Sequence, residues 1–183
     1  FYTPTGLIEL YSTVLESYGE KPVPYFEEPE YSPVSQAGAV ADEYPLVYTT
    51  GGRHISMFHS EHRQIPSLRA LHPDPLVTIN PATAEKYGIQ QGDWVRVTTP
   101  LGECTQKANL TNEVNEKTIH LEHAWWFPEQ DGEAPNLYGV FDANPNNIMP
   151  HESVSVTGYG APYKNGICRI ERVSGLKGNG GEQ

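Results

Sequence analysis

Proline or glycine interrupts this chain about every five or six residues: 16 prolines and 17 glycines stand among 183 residues. Proline removes a backbone donor and fixes φ, and glycine raises the entropy cost of any helix or strand interior it occupies. Turns and irregular loops are therefore favoured over long helices, and the chain is expected to fold as short elements joined by tight turns. No apolar run approaches the ~20 residues that a membrane-spanning helix needs, so no transmembrane segment is expected. No basic start followed by an apolar stretch marks a secretory signal.

The texture divides the chain into three parts. Residues 1–43 carry eight acids against the single base Lys21. Leu7, Ile8, Leu10, Tyr11, Val14, Leu15 and Tyr18 recur roughly at helical spacing behind Thr5, a possible cap, and predict one short helix there. The acidic stretch from Pro22 is aperiodic, and Pro22, Pro24, Pro29 and Pro33 suit neither helix nor central strand. It is expected to be an extended lead-in lying over another surface. Residues 44–173 hold the ordered domain, and 174–183, rich in glycine, are expected to form a flexible tail.

From Tyr44 onward, short β-rich runs alternate with turn signals. Leu46 to Thr50 reads as a strand stopping at a turn on Gly51-Gly52. Residues 76–79, 93–99, 103–110, 118–122 and 166–173 supply five more strands, with Pro100-Leu101-Gly102 as the turn of a hairpin. Residues 65–72 suggest a short helix with Pro66 near its start. Asn80 caps a second, Pro81 suits its first turn, and Gly88 is its expected left-handed stop. Residues 124–165 show little periodicity, as a functional or covering loop does. Six short strands with small helices between them predict a mainly β, barrel-like core, because closure removes exposed edges.

The net charge of −11 argues against nucleic acid as a partner, since affinity for a phosphate backbone comes from Lys and Arg. The second part carries 11 bases among its 15 acids and can still hold a small anion. Cys104 and Cys168 form neither a disulfide framework nor a four-thiolate metal site and read as small buried hydrophobes.

Four constellations carry possible chemistry. Thr50-Gly51-Gly52-Arg53, continuing to His59 and Ser60, can expose successive backbone N–H groups as an anion nest beside a guanidinium fork; the plain alternative is a glycine turn. His59 and His62, with His54 nearby, can share a face and hold a metal, or serve as hydrogen-bonding histidines; His120 and His123 pose the same choice. Trp125-Trp126-Phe127 can wall a flat ring system or simply pack. Asn144 and Asn146, with Lys164 further on, can read the edge of a heterocycle, or form an Asn/Pro turn. No nucleophile–base arrangement or paired carboxylates stand out.

Taken in order, YTTGGRHISMFHSEHR, HLEHAWWFP, NPNNIM and YKNGICRI resemble a known module. It is the C-terminal molybdopterin-dinucleotide-binding domain of the dimethyl-sulfoxide-reductase family of molybdenum and tungsten enzymes. Within that family the resemblance is to the acetylene-hydratase-like branch and related anaerobic oxidoreductases, and it covers roughly Thr3 to Val173. It implies a double-psi β-barrel and a bis(guanine-dinucleotide) molybdopterin carrying Mo or W, shared with preceding domains or a catalytic subunit. Thr50, Gly51, Gly52, Arg53, His59 and Ser60 then fall on the cofactor loop. Asn146, with Asn144 close by, falls on the pterin side, Lys164 where a late basic residue meets the cofactor, and Trp126 or Phe127 where an aromatic packs near it. Metal ligand, iron–sulfur cluster and substrate channel are implied to lie outside this chain, which would reach its small-molecule substrate only within the holoenzyme. Two other expectations stand beside this one: a non-catalytic interaction module on the same barrel, and part of a hydratase or transhydroxylase using the same cofactor without net redox.

Overall fold

The structure, a computed structural model, describes residues 1–151 and 164–174. Of the tail expected over 174–183, only Ser174 is among them. Six strands carry the fold: β1 (Leu46–Gly52), β2 (Leu76–Ile79), β3 (Trp94–Thr99), β4 (Gly102–Leu110), β5 (Thr118–Glu122) and β6 (Asn165–Val173). They close into a barrel in the order β1-β5-β2-β4-β3-β6. β1 with β5 and β2 with β4 run parallel, and the remaining pairs run antiparallel. This is a mainly β, double-psi barrel with short helices, and closure leaves no strand edge to mispair.

The core follows the period of two that a strand imposes. Val77 and Ile79, Val95 and Val97, Ile119 and Leu121, and Leu46 and Tyr48 point inward and are fully or nearly fully buried. Cys104, Ala108, Cys168 and Ile170 complete the same cluster. Burial pushes both thiols well above their ordinary range, so they pack as inert side chains.

Among the described residues there are five helices of four to six residues: α1 (Thr13–Ser17), α2 (Ala39–Glu43), α3 (Pro66–Arg69), α4 (Pro81–Lys86) and α5 (Val140–Ala143). In α4 the Asn80 side chain accepts from the Ala82 N–H at 3.0 Å, Pro81 opens the first turn and Gly88 (φ +65°) follows the end. Thr83 and Ala84 are its buried residues.

Three local expectations need correction. The helix read over the first 21 residues is only Thr13–Ser17, capped by Ser12 rather than Thr5. Leu7, Ile8, Leu10 and Val14 are exposed, and an unpacked helix this short cannot propagate. The Pro-rich lead-in contains α2, because its four prolines all precede residue 34 and leave 39–43 free to coil. Finally, β1 does not stop before the glycines. Thr50 pairs with Leu121 and Gly52 with Glu122, so Gly51 (φ +102°) is the extra residue of a bulge.

Residues 124–151 are more ordered than their composition predicts. Two 3-10 turns, Leu137–Gly139 and Pro145–Ile148, flank α5, and Ile148 and Met149 join the barrel core. The Thr99 hydroxyl donates to the Ile148 carbonyl at 3.0 Å and ties this segment to β3.

The contrast between core and lead-in is measurable. Ile119→Ala removes a fully buried side chain and is expected to cost about 2–5 kcal/mol. Leu10→Ala, on an exposed residue, is expected to stay within about 0.5 kcal/mol. Urea denaturation of the two variants checks both.

Candidate functional site

Strand direction gathers the candidate residues at one end of the barrel. β1 and β5 are parallel neighbours, so their C-terminal ends emerge together. β6 runs antiparallel to β1 and starts beside that end. The Thr50 N–H donates to the Lys164 carbonyl at 3.1 Å, which pins the residue before β6 to the residue before the bulge. Between them lies a cleft of about 220 Å³. Thr50, Gly51 and Arg53 line it from β1 and its continuation, and His59 from the loop that follows. His123, just past β5, lines it too, as do Asn146 and Met149 beside the second 3-10 turn and Lys164.

The charge of this cleft opposes that of the chain. Arg53 and Lys164 are cations, two imidazoles stand beside them, and none of the described lining residues is acidic, against a net charge of −11 overall. Gly51 is required by its backbone: its φ of +102° is one that side chains rarely adopt, and a Cβ there would lie 3.3 Å from the movable Lys164 ammonium. At Gly52 a Cβ would collide with the His120 ring. The Thr50 hydroxyl oxygen is buried with no hydrogen-bond partner among the described residues.

The two lining histidines form a chain. His123 Nδ1 lies 2.8 Å from the Gly52 carbonyl, which only accepts, so Nδ1 carries the proton. His123 Nε2 lies 3.4 Å from His59 Nδ1, with the rings edge to face. In the neutral pair His123 Nε2 accepts, His59 Nδ1 donates, and His59 Nε2 is left with an open lone pair.

Behind the cleft lies a layer of buried polar side chains. His72 Nε2 is 2.6 Å from Glu122 Oε2, which also accepts from the Leu76 N–H at 3.2 Å. The His54 ring stacks on His72 at 4.1 Å, nearly parallel. Gln106 holds both backbone polar groups of Glu122: its amide donates to the carbonyl at 2.7 Å, and its oxygen accepts from the N–H at 3.2 Å. That fixes the residue next to His123.

The structure brings together six of the eleven residues singled out from the sequence: Thr50, Gly51, Arg53, His59, Asn146 and Lys164. The other five stand around the cleft without lining it. The Gly52 carbonyl holds His123, and the Ser60 carbonyl accepts from Trp126 Nε1 at 2.6 Å. Asn144 caps the second 3-10 turn, its side chain accepting from the Asn146 N–H at 3.0 Å. Phe127 is buried with Trp125 and Ala143 in a second small core, and Trp126 meets Tyr138 edge to face. The aromatic run therefore packs rather than walls the cleft. His59 and His62 have positive φ (45° and 74°), so they share no helix face. No group of three or more His, Cys, Asp or Glu side chains converges as a metal site among the described residues. Sequence reasoning missed His123 and Met149 as lining residues. The available signal for His123 was its place just past a predicted strand end.

Comparison with known proteins agrees with this geometry. Residues 46–166 match the family described as the molydopterin dinucleotide binding domain. The chain belongs to this family of molydopterin dinucleotide-binding domains. It is 47% identical over 133 residues to dopamine dehydroxylase of Eggerthella lenta, covering 70% of this chain and 13% of that protein. It is 38% identical over 130 residues to acetylene hydratase of Syntrophotalea acetylenica, covering 71% of this chain and 18% of that protein. The solved structure of acetylene hydratase from Pelobacter acetylenicus superimposes with a TM-score of 0.85 at 31% identity, over 93% of this chain and 24% of that one. The chain thus spans 13–24% of the length of these relatives.

Histidine burial near the site sets a pH dependence. Burial is the first cause holding His54 and His120 below the ordinary value of 6.5; the neighbouring His72 adds to it at His54, and Glu122 opposes it at both. Both rings are thus neutral in the fold and protonate more readily once unfolded. The stability they allow is present above pH 6.5 and is lost as the pH falls below it, toward their lowered values. The urea midpoint is expected to drop between pH 7 and 5.5, and His120→Gln to flatten part of that drop.

Proposed function

We propose that this cleft grips the pyrophosphate of a bis(guanine-dinucleotide) molybdopterin carrying Mo or W, and that the domain closes one side of the active site of a larger oxidoreductase. The observation that carries the proposal is the cationic cleft, with no carboxylate among its described lining residues, at a glycine bulge in an otherwise acidic chain. Arg53 offers a planar fork and Lys164 a point charge to phosphate oxygens. The backbone N–H group at Gly51, which lines the cleft, adds an uncharged donor. In the neutral pair His59 accepts at Nε2, and Asn146 presents a donor and an acceptor to a ring edge.

When bound, the cofactor supplies the electron transfer or hydration at its metal. The chain's own residues bind and orient; none serves as nucleophile or general base in this reading. The partners are the preceding domains or catalytic subunit, which hold the metal ligand, any iron–sulfur cluster and the substrate channel. Similarity to acetylene hydratase supports hydration without net electron transfer as a second reading for the whole enzyme. Relatives named as a dehydroxylase, a hydratase and an N-oxide reductase share this domain. The choice among such reactions is therefore assigned to residues outside this chain.

Arg53→Ala with Lys164→Ala in the full-length polypeptide tests the reading. Both positions are exposed, so stability is expected to change by no more than about 0.5 kcal/mol per site. Hydrogen bonds to charged groups contribute about 1.5–3 kcal/mol each. Pterin per polypeptide, measured as its fluorescent oxidation product, is expected to fall at least about tenfold in the double variant. Undiminished pterin would place the grip elsewhere. Elemental analysis of the same samples distinguishes Mo from W.

A further inference from the structure

We infer that Arg63 positions His59 at the cleft, folding the loop back on itself from behind through the His59 carbonyl. The inference rests on the cofactor-gripping reading of the cleft.

Arg63 does not line the cleft and is only 1% exposed, which is rare for a guanidinium. Both of its terminal nitrogens donate to the His59 carbonyl, each at 3.2 Å. Its carbon lies 4.5 Å over the Trp125 ring, itself fully buried. Its Nε has no hydrogen-bond partner among the described residues. Burial lowers its pKa to about 10, with Glu122 opposing and Arg69 adding to the shift, so the group stays charged at neutral pH. A buried cation costs free energy that a neutral side chain of similar size avoids. What the fold gains here is the hold on one carbonyl.

That carbonyl needs holding. Phe58 and His59 have φ of +20° and +45°, and His62 has +74°. Side chains other than glycine pay roughly 1–2 kcal/mol per residue in such conformations. They persist where the surroundings over-determine them. The fork of Arg63, clamped on Trp125, supplies that constraint four residues downstream. With the loop held, the His59 ring reaches His123, and the open Nε2 of the pair is directed by the backbone rather than by the ligand. Lysine carries the same charge but lacks the planar fork that puts two N–H groups on one oxygen.

The experiment uses the full-length polypeptide with Arg63→Lys, Arg63→Met, His59→Ala and Arg63→Lys combined with His59→Ala. Hydrogen exchange is followed by mass spectrometry over 54–63 and, as reference, over β3 and β4. Pterin per polypeptide is measured on the same samples. In Arg63→Lys and Arg63→Met, exchange over 54–63 is expected to rise about tenfold or more while β3 and β4 are unchanged. Pterin is expected to fall in Arg63→Lys about as far as in His59→Ala, and no further in the combined variant. Unchanged exchange, an equal rise in the barrel strands, undiminished pterin, or additive losses would each overturn the positioning role. If Arg63→Met does not fold, Arg63→Lys decides. If the unsubstituted polypeptide carries no pterin, the cofactor reading fails on its own, and the exchange comparison still decides whether Arg63 holds the loop.

Discussion

The side-by-side pairing of β1 with parallel β5 and antiparallel β6 decides where the bulge, His123 and Lys164 of the cleft stand. Because β1 and β5 point the same way, the bulge at Gly51 and the imidazole of His123 share one end of the barrel. Because β6 points the other way, Lys164 arrives there too, about 110 residues further along the chain. The bulge adds the local detail. One unpaired glycine turns the last residues of β1 out of the ladder and leaves room beside the Lys164 ammonium. Without closure the same residues would be scattered along an edge.

Two polar residues translate that framework into the positions of two histidines. Gln106 grips Glu122 by both backbone groups and so fixes His123. Arg63 grips His59 by its carbonyl. Both are fully buried, and both spend their hydrogen bonds mostly on backbone rather than on side chains. A buried layer of this kind is costly unless its members are satisfied. Most are here, and the cleft in front of it is free to hold unlike charges: cations on its walls in a chain that is acidic elsewhere.

What the sequence made legible, and what it did not, follows from the range of the interactions. All six strands were visible, because β-branched runs punctuated by Gly and Pro are local signals. The helix of α4 was visible to its cap. Thr50, Gly51 and Arg53 were readable because they are adjacent. Asn146 and Lys164 were readable as a constellation of ring-edge and anion-binding types, which the family's motif order then placed together. The first 21 residues misled, because helical spacing without a surface to pack on does not make a helix. His123 was weighed only as a possible metal-holding or hydrogen-bonding histidine and Arg63 stayed hidden, for opposite reasons. His123 depends on a contact 64 residues away in sequence with His59. Arg63 contradicts the ordinary expectation that arginine is exposed. The Trp-Trp-Phe run read equally as wall or packing, and the structure puts Trp125 and Phe127 in the second core.

The central claim is that an acidic barrel uses one cationic end to grip the anionic part of its cofactor. The most direct measurement is an experimental structure of the full-length polypeptide with its cofactor bound. The account predicts pyrophosphate oxygens within hydrogen-bond distance, about 3 Å, of the Gly51 backbone, Arg53 and Lys164. A pyrophosphate bound elsewhere, with this cleft filled by side chains of another domain, would contradict it.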